Sequence, residues 1–134
     1  MKTTVLDASA VLALLFDESG AEKMEHILHA ASEADKPVFI SAVNWAEVLY
    51  KLERKHGKAG LETARQFERT TPLEAVPVDR ELAEAAAALK VKHDLGLADA
   101  FAVALAMKHK NAELVTADKE FAAVGKEIKI HWLK

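Results

Sequence analysis

Apolar positions along this chain alternate between two kinds of run. Short stretches of aliphatic, β-branched or aromatic residues occur at 3–6, 38–40, 75–78, 114–116 and 129–131, and each reads as a strand. Between them, apolar residues recur every three or four positions, as helices require. The expected helices span 10–16, 20–34, 42–56, 59–69, from Asp79 to about 93, and 98–109, with a helical turn at 118–123. Met24, Ile27, Leu28 and Ala31 form the buried stripe of the second, which Ser19 is placed to cap. Ser41 is placed to cap the third and Gly57 to stop it. Leu61, Ala64 and Phe67 set the stripe of the fourth.

Strands alternating with helices predict an α/β fold: a parallel sheet of four to five strands, covered by helices on both faces. No repeat, low-complexity tract or linker interrupts the pattern, so residues 1–134 read as one domain. Two helices fall between the third and fourth strands, and alternation alone leaves that connection open. With 51% apolar residues, a chain of this size can bury a core without staples. The absence of cysteine removes disulfides, thiolate zinc sites, Fe–S clusters and cysteine nucleophiles, and fits a cytoplasmic location. The apolar runs at 10–16 and 100–107 are far shorter than the ~20 residues that span a bilayer, so no membrane association is expected. Asp7 breaks the only candidate signal sequence, which makes the N-terminus part of the fold. A net charge of −3 argues against a large basic nucleic-acid surface but leaves local patches open.

Several familiar chemistries lack their motifs. The five glycines form neither G-x-G-x-x-G nor a P-loop, no H-E-x-x-H occurs, and no serine lies in G-x-S-x-G. His26 and His29 share a helix that reads as amphipathic, which makes them ordinary surface residues. The basic run from Lys51 to Lys58, with Arg65 and Arg69, is available to phosphates, although cations in a helix's last turn also complement its dipole.

The acids carry more information. Asp7 directly follows the first strand, and Asp118 lies two residues beyond the fourth. Glu47 is embedded in Val43-Asn44-Trp45-Ala46-Glu47-Val48-Leu49-Tyr50, and Asp99 interrupts a helix apolar on all sides. Each has a structural alternative: Asp7 can cap the next helix and Asp118 the next turn, Glu47 can pair with Lys51, and Asp99 can complement a helix N-terminus. A carboxylate buried alone is costly, however, and four of them call for a shared explanation. Ligand sites of open α/β sheets form beyond the strands' carboxyl ends, where Asp7 and Asp118 fall and where Glu47 and Asp99 can project. Converging carboxylates are relieved by a hard divalent cation, and oxygen-only donors favour Mg²⁺ or Mn²⁺ over zinc.

V-L-D-A-S-A, N-W-A-E-V-L-Y, L-G-L-A-D-A-F-A-V-A-L-A and L-V-T-A-D-K-E-F occur in the order and approximate spacing of PIN-domain nucleases. Together with the small size, they most resemble the VapC-type toxins of prokaryotic toxin–antitoxin pairs. The resemblance covers Val5 to Phe121 and implies a three-layer fold with a twisted parallel sheet. Its acidic quartet falls on Asp7, Glu47, Asp99 and Asp118, with Asp7 and Asp99 as the most direct metal ligands. Its hydroxyl residues fall on Ser9 and Thr116, which would orient water, phosphate or neighbouring carboxylates. The implied activity is Mg²⁺- or Mn²⁺-dependent endoribonuclease cleavage by water attack. The implied partners are RNA, a cognate antitoxin and a second copy of the chain. Surplus apolar residues Trp45, Leu49, Tyr50 and Leu52 on the third helix suit a homodimer, and the short helix from Val11 to Phe16 suits an antitoxin groove or ordinary core packing.

Two other readings compete. A signalling receiver domain also places a Mg²⁺ pocket at the carboxyl edge of an α/β sheet, but expects paired acids after the first strand and a phosphorylatable aspartate after a middle one. Here Asp7 stands alone, and Asp79 is better explained as a cap. A PIN fold kept only for protein binding is disfavoured by the intact quartet.

Overall fold

The structure is a computed structural model describing residues 2–134. In chain order the elements are β1 (Thr3–Leu6), α1 (Ala8–Leu15), α2 (Ala21–Glu33), β2 (Val38–Ser41), α3 (Ala42–His56) and α4 (Lys58–Thr70). They continue with β3 (Leu73–Val76), α5 (Arg80–His93), α6 (Leu97–Met107), β4 (Ala112–Thr116), a 3-10 turn (Lys119–Val124) and β5 (Lys129–Trp132). All five strands pair in parallel in the order β3-β2-β1-β4-β5. The α5–α6 connection that alternation left open therefore carries the chain from the β3 edge back across the sheet to the far side of β1.

Side chains alternate across the central strands, and this separates two cores. Leu6 and Val115 face a core shared with α1, α2, α3 and α4, including Met24, Val48, Leu52 and Phe67. Their neighbours Val5 and Leu114 face a second core with α5 and α6, completed by Phe121, Val124 and Ile128. Every residue of α6 from Ala100 to Ala106 is buried, as its all-round apolar pattern requires. The result is the three-layer α/β arrangement expected from the sequence.

Three local expectations are corrected. Ser19 does not cap α2: Gly20 does so at φ 99°, without a side-chain bond. A Cβ on Gly20 would lie 2.9 Å from the Cβ of Leu133, so both the backbone angle and the close approach call for glycine. β3 spans 73–76 rather than 75–78, because Pro72 and Pro77 bracket it and proline cannot donate to a ladder. α1 begins at Ala8 rather than at position 10, since Asp7 caps it directly.

Candidate metal centre

The strand order reverses between β1 and β4, so their carboxyl ends flank the switch point at which open α/β sheets bind ligands. Leu6 pairs with Val115, which sets the following Asp7 beside Thr116. α3 starts directly from the end of β2, and α6 enters the same edge at its N-terminus. This topology carries Asp7, Glu47, Asp99 and Asp118 to one end of the sheet.

Asp7 is only 2% exposed and is held on several sides. Its Oδ1 accepts from the backbone N–H of Ala10 at 3.0 Å, and the Ser9 hydroxyl donates to the carboxylate at 2.9 Å. Thr116 Oγ1 donates to Oδ2 at 2.8 Å. Both hydroxyls are fixed in turn, as the N–H of Ala117 donates to Ser9 Oγ and that of Asp118 to Thr116 Oγ1, each at 2.9 Å. Of the tasks the resemblance implied for Ser9 and Thr116, the structure shows orientation of a neighbouring carboxylate. The capping role of Asp7 is also present; a carboxylate has enough lone pairs for both.

Asp99 stands half-buried in the first turn of α6. Its helix is tied to α3 by Asn44, a fully buried residue that the sequence did not single out. Asn44 Nδ2 donates to the carbonyl of Ala98 at 3.0 Å, Ser41 Oγ donates to Asn44 Oδ1, and the N–H of Asn44 donates back to Ser41 Oγ at 3.1 Å. The N-terminal turns of α3 and α6 are thereby held together, which sets Glu47 relative to Asp99. The only available signal was a polar residue at a core-facing position of an amphipathic helix.

Glu47 is 23% exposed and pairs with Lys51 one turn on, at 3.0 Å. Asp118 caps the 3-10 turn through a 3.0 Å bond from the N–H of Glu120. Asp99, Asp118 and Glu120 each bring one carboxylate oxygen within 4.8 Å of the others. Glu120, exposed at the rim, is therefore a candidate ligand that sequence reasoning missed. Its signal was the D-x-E spacing after β4, where the turn folds both side chains to one side.

The charges sense one another. Burial, opposed by the Thr116, Ser9 and Ala10 hydrogen bonds, raises the pKa of Asp7 to about 6. Burial, reinforced by the charges of Asp118, Asp7, Glu120 and Glu47 in that order, raises Asp99 to about 7. Among the described residues, Lys51 is the one cation paired with any of these five acids. An all-oxygen donor set with uncompensated negative charge suits a hard divalent cation such as Mg²⁺ or Mn²⁺.

Other candidates fall outside this centre. Asp79 caps α5, accepting from the N–H of Leu82 at 2.8 Å beyond the edge strand β3, and the sheet order differs from the 2-1-3-4-5 order of receiver domains. Lys51, Arg54 and Arg69 are engaged on their own helices by Glu47, the Tyr50 ring and Glu62, and Lys55 lies over the Phe16 ring. Leu52 is buried in the core and is removed from the expected dimer surface, while Tyr50 remains 45% exposed. Val11 and Leu12 are likewise core residues, which corrects the expectation that this whole helix lines a groove; Leu14, Leu15 and Phe16 are partly buried. No helix among the described residues is long and apolar enough to cross a membrane.

No curated protein matches the chain. Its fold is similar to that of VapBC2 from Rickettsia felis bound to a promoter DNA fragment, at a TM-score of 0.76 and 19% identity over 98% of each chain. It is similar to DNA-bound VapBC from Salmonella typhimurium, at 0.75 and 19% over 100% of each chain. It is also similar to VapC20 from Mycobacterium tuberculosis, a sarcin–ricin loop cleaving toxin, at 0.67 and 26% over 92% of this chain and 95% of that one. The PIN domain pattern matches residues 4–127, almost the whole sequence, and with the switch-point acids in place the chain belongs to the PIN domain family.

Proposed function

We propose that this protein is a metal-dependent endoribonuclease, the toxin of a toxin–antitoxin pair. The observation that carries the reading is the convergence of Asp99, Asp118 and Glu120 at the sheet's switch point, near the buried Asp7 whose charge acts on Asp99, with the Asp7 and Asp99 carboxyls pushed up to about 6 and 7. Buried acids are normally paired, and among the described residues Glu47 alone of these acids has a cation partner. The likeness to VapC20 supports RNA as substrate, and the likeness to VapBC complexes supports an antitoxin.

Asp7 and Asp99 would hold Mg²⁺ or Mn²⁺, with Asp118, Glu120 and Glu47 completing the set. Bound there, the cation would neutralise charge on the phosphate and make water acidic enough to serve as nucleophile. Ser9 and Thr116 keep Asp7 in one orientation, so a ligand oxygen is in place before anything binds. Asn44 keeps α6 and its Asp99 at a constant separation from α3. Lys51 holds the Glu47 carboxylate in a 3.0 Å ion pair.

The antitoxin would restrain the enzyme by placing a basic side chain among these carboxylates, where an arginine can bind in bidentate fashion and displace the metal. A homodimer through the exposed side of α3 around Tyr50, and a cytoplasmic location, complete the reading; light scattering at micromolar concentration should give a dimer mass. The deciding experiment maps cleavage sites on total cellular RNA with Mn²⁺, comparing the protein with its Asp99→Asn variant. Discrete sites present only with the unaltered protein are expected, and equal cleavage by both, or cleavage that survives EDTA, would refute the reading. A PIN fold kept only for protein binding would leave the RNA intact in every lane.

A further inference from the structure

A glutamate and a lysine one helical turn apart commonly pair on a solvated surface, and such pairs contribute little. The pair Glu47–Lys51 has different surroundings. Lys51 is carried by α3, yet its side chain lines a groove with Ser9 of α1 and Asp118, which follows β4. Lys119 and Lys134 line the same groove, but among the described residues Lys51 alone is bonded to a carboxylate of the centre. That bond to Glu47 holds the Lys51 pKa above its ordinary 10.5 in spite of burial, and the charges of Glu47, Tyr50 and Asp118 act in the same direction. The ammonium therefore stays charged at neutral pH, and only another cation can release Glu47. At the opposite edge of the sheet Lys2, Lys129 and His131 all contact a single acid, Glu113. At the centre one lysine faces five acids.

We propose that Lys51 is a counter-ion built into the metal centre: it holds the Glu47 carboxylate back from the divalent cation, so that Glu47 completes the set through water and a coordination position stays open for the reaction. The inference rests on the metal-dependent reading and deepens it by assigning Glu47 and Lys51 to the control of metal loading. Mg²⁺ demands near-ideal octahedral coordination, keeps several of its waters and is usually held by one or two carboxylates. It acts by drawing charge from phosphate and water, and each further carboxylate bound to it weakens that action. Five carboxylates around one ion would bind it tightly and blunt it. Lys51 withdraws one of them. The sign of the effect separates this role from a supporting one. Breaking a contact that supports a metal site loosens the site, whereas removing a competitor for one of its carboxylates tightens it.

The test measures Mn²⁺ affinity without RNA, by titration calorimetry and by the electron paramagnetic resonance signal of the free ion. In Lys51→Met the dissociation constant should fall about three- to five-fold, the upper range for a part-exposed ion pair, while Lys51→Arg keeps the parent's value. Lys58→Met removes an equal charge from an exposed site at the start of α4 and should leave the affinity unchanged at about 0.1 M salt. In a Glu47→Gln background Lys51→Met should have no effect, because no carboxylate remains to be freed. With RNA and saturating Mn²⁺, Lys51→Met should turn over more slowly than the parent, with KM changed far less than kcat. Tighter metal with slower cleavage is a combination that neither lost packing nor a lost phosphate contact produces. Unchanged or weaker Mn²⁺ binding by Lys51→Met, or the same tightening in the Glu47→Gln background, would overturn the proposal, while Mn²⁺ binding by the parent would leave the metal reading standing. Tighter binding with undiminished kcat would overturn it as well, since direct ligation by Glu47 would then cost the reaction nothing. If the parent binds no Mn²⁺, the metal reading itself fails and this inference falls with it.

Discussion

At the scale of the residue, the centre is a set of carboxylates at odds with their surroundings. Asp7 ionises with difficulty because it is buried, and its hydroxyl partners only partly offset that. Its folded pKa of about 6 lies above the ordinary 3.8, so its contribution to stability is full below about pH 4 and is lost as pH rises through 6. A shift of that size corresponds to about 3 kcal/mol. Asp99 acts in the same direction, with its loss extending to about pH 7. Asp7→Asn and Asp99→Asn should therefore abolish metal-dependent RNA cleavage and yet, in EDTA, leave the protein as stable or more so, with the gain growing from pH 4 to pH 7 in thermal melts. Full activity in both variants would refute the metal mechanism. Thr116 makes the strongest of the contacts that hold the Asp7 pKa down. In Thr116→Val that pKa should climb, and the acid limb of the pH–rate profile should move to higher pH by roughly half a unit to one unit. A profile that falls in height without moving would make Thr116 a packing residue and nothing more.

At the scale of the element, sequence pattern located the strands and helices because one face of each strand and one stripe of each helix must be buried. The misses have local causes. Proline brackets moved β3, and the approach of Leu133 gave the start of α2 to glycine rather than to Ser19. α3 matters most for the site, since it carries Asn44, Glu47 and Lys51. Its far end is set by α4, and the contact depends on Gly60: a Cβ there would lie 2.2 Å from the carbonyl oxygen of Leu52. A backbone atom cannot swing aside as a flexible side chain can, so the two helices would have to separate. Gly60→Ala should destabilise the protein by about 1–3 kcal/mol, as overpacking does, and lower its melting temperature. Cleavage by the surviving folded protein should fall less than in the acid variants, because Gly60 lies beyond the end of α3 remote from Asn44. An unchanged melting temperature would show that the helices can part without cost.

At the scale of the whole molecule, the two edges of the sheet respond to pH in opposite directions. Three acids of the centre were legible because each stands where a strand has just ended or a buried helix should be apolar, and Glu47 because apolar residues surround it. Glu120 and Asn44 were not, since one sits in an exposed turn and the other resembles any polar residue near a helix start. At the far edge burial would raise the pKa of Glu113, but bonds from His131 and Lys2 outweigh it and hold the group below the usual carboxylate range. Its stabilisation is therefore present above about pH 4.5 and lost as pH falls through its folded pKa, whereas that of the centre is lost as pH rises. The metal-free protein should accordingly be most stable near pH ~5. A divalent cation binds the ionised carboxylates and competes with protons for them, so it should stabilise most where the metal-free protein is weakest. At about one hundred times its dissociation constant, Mn²⁺ would add about 2.7 kcal/mol, which for a chain of this size raises the melting temperature on the order of 10 °C. Melts at pH 8 should show that increase in the unaltered protein and little of it in Asp99→Asn, with the optimum moving to higher pH when metal is present. Identical melts in Mn²⁺ and EDTA at pH 8 would mean that the carboxylates converge without holding an ion, and the nuclease reading would lose its cofactor.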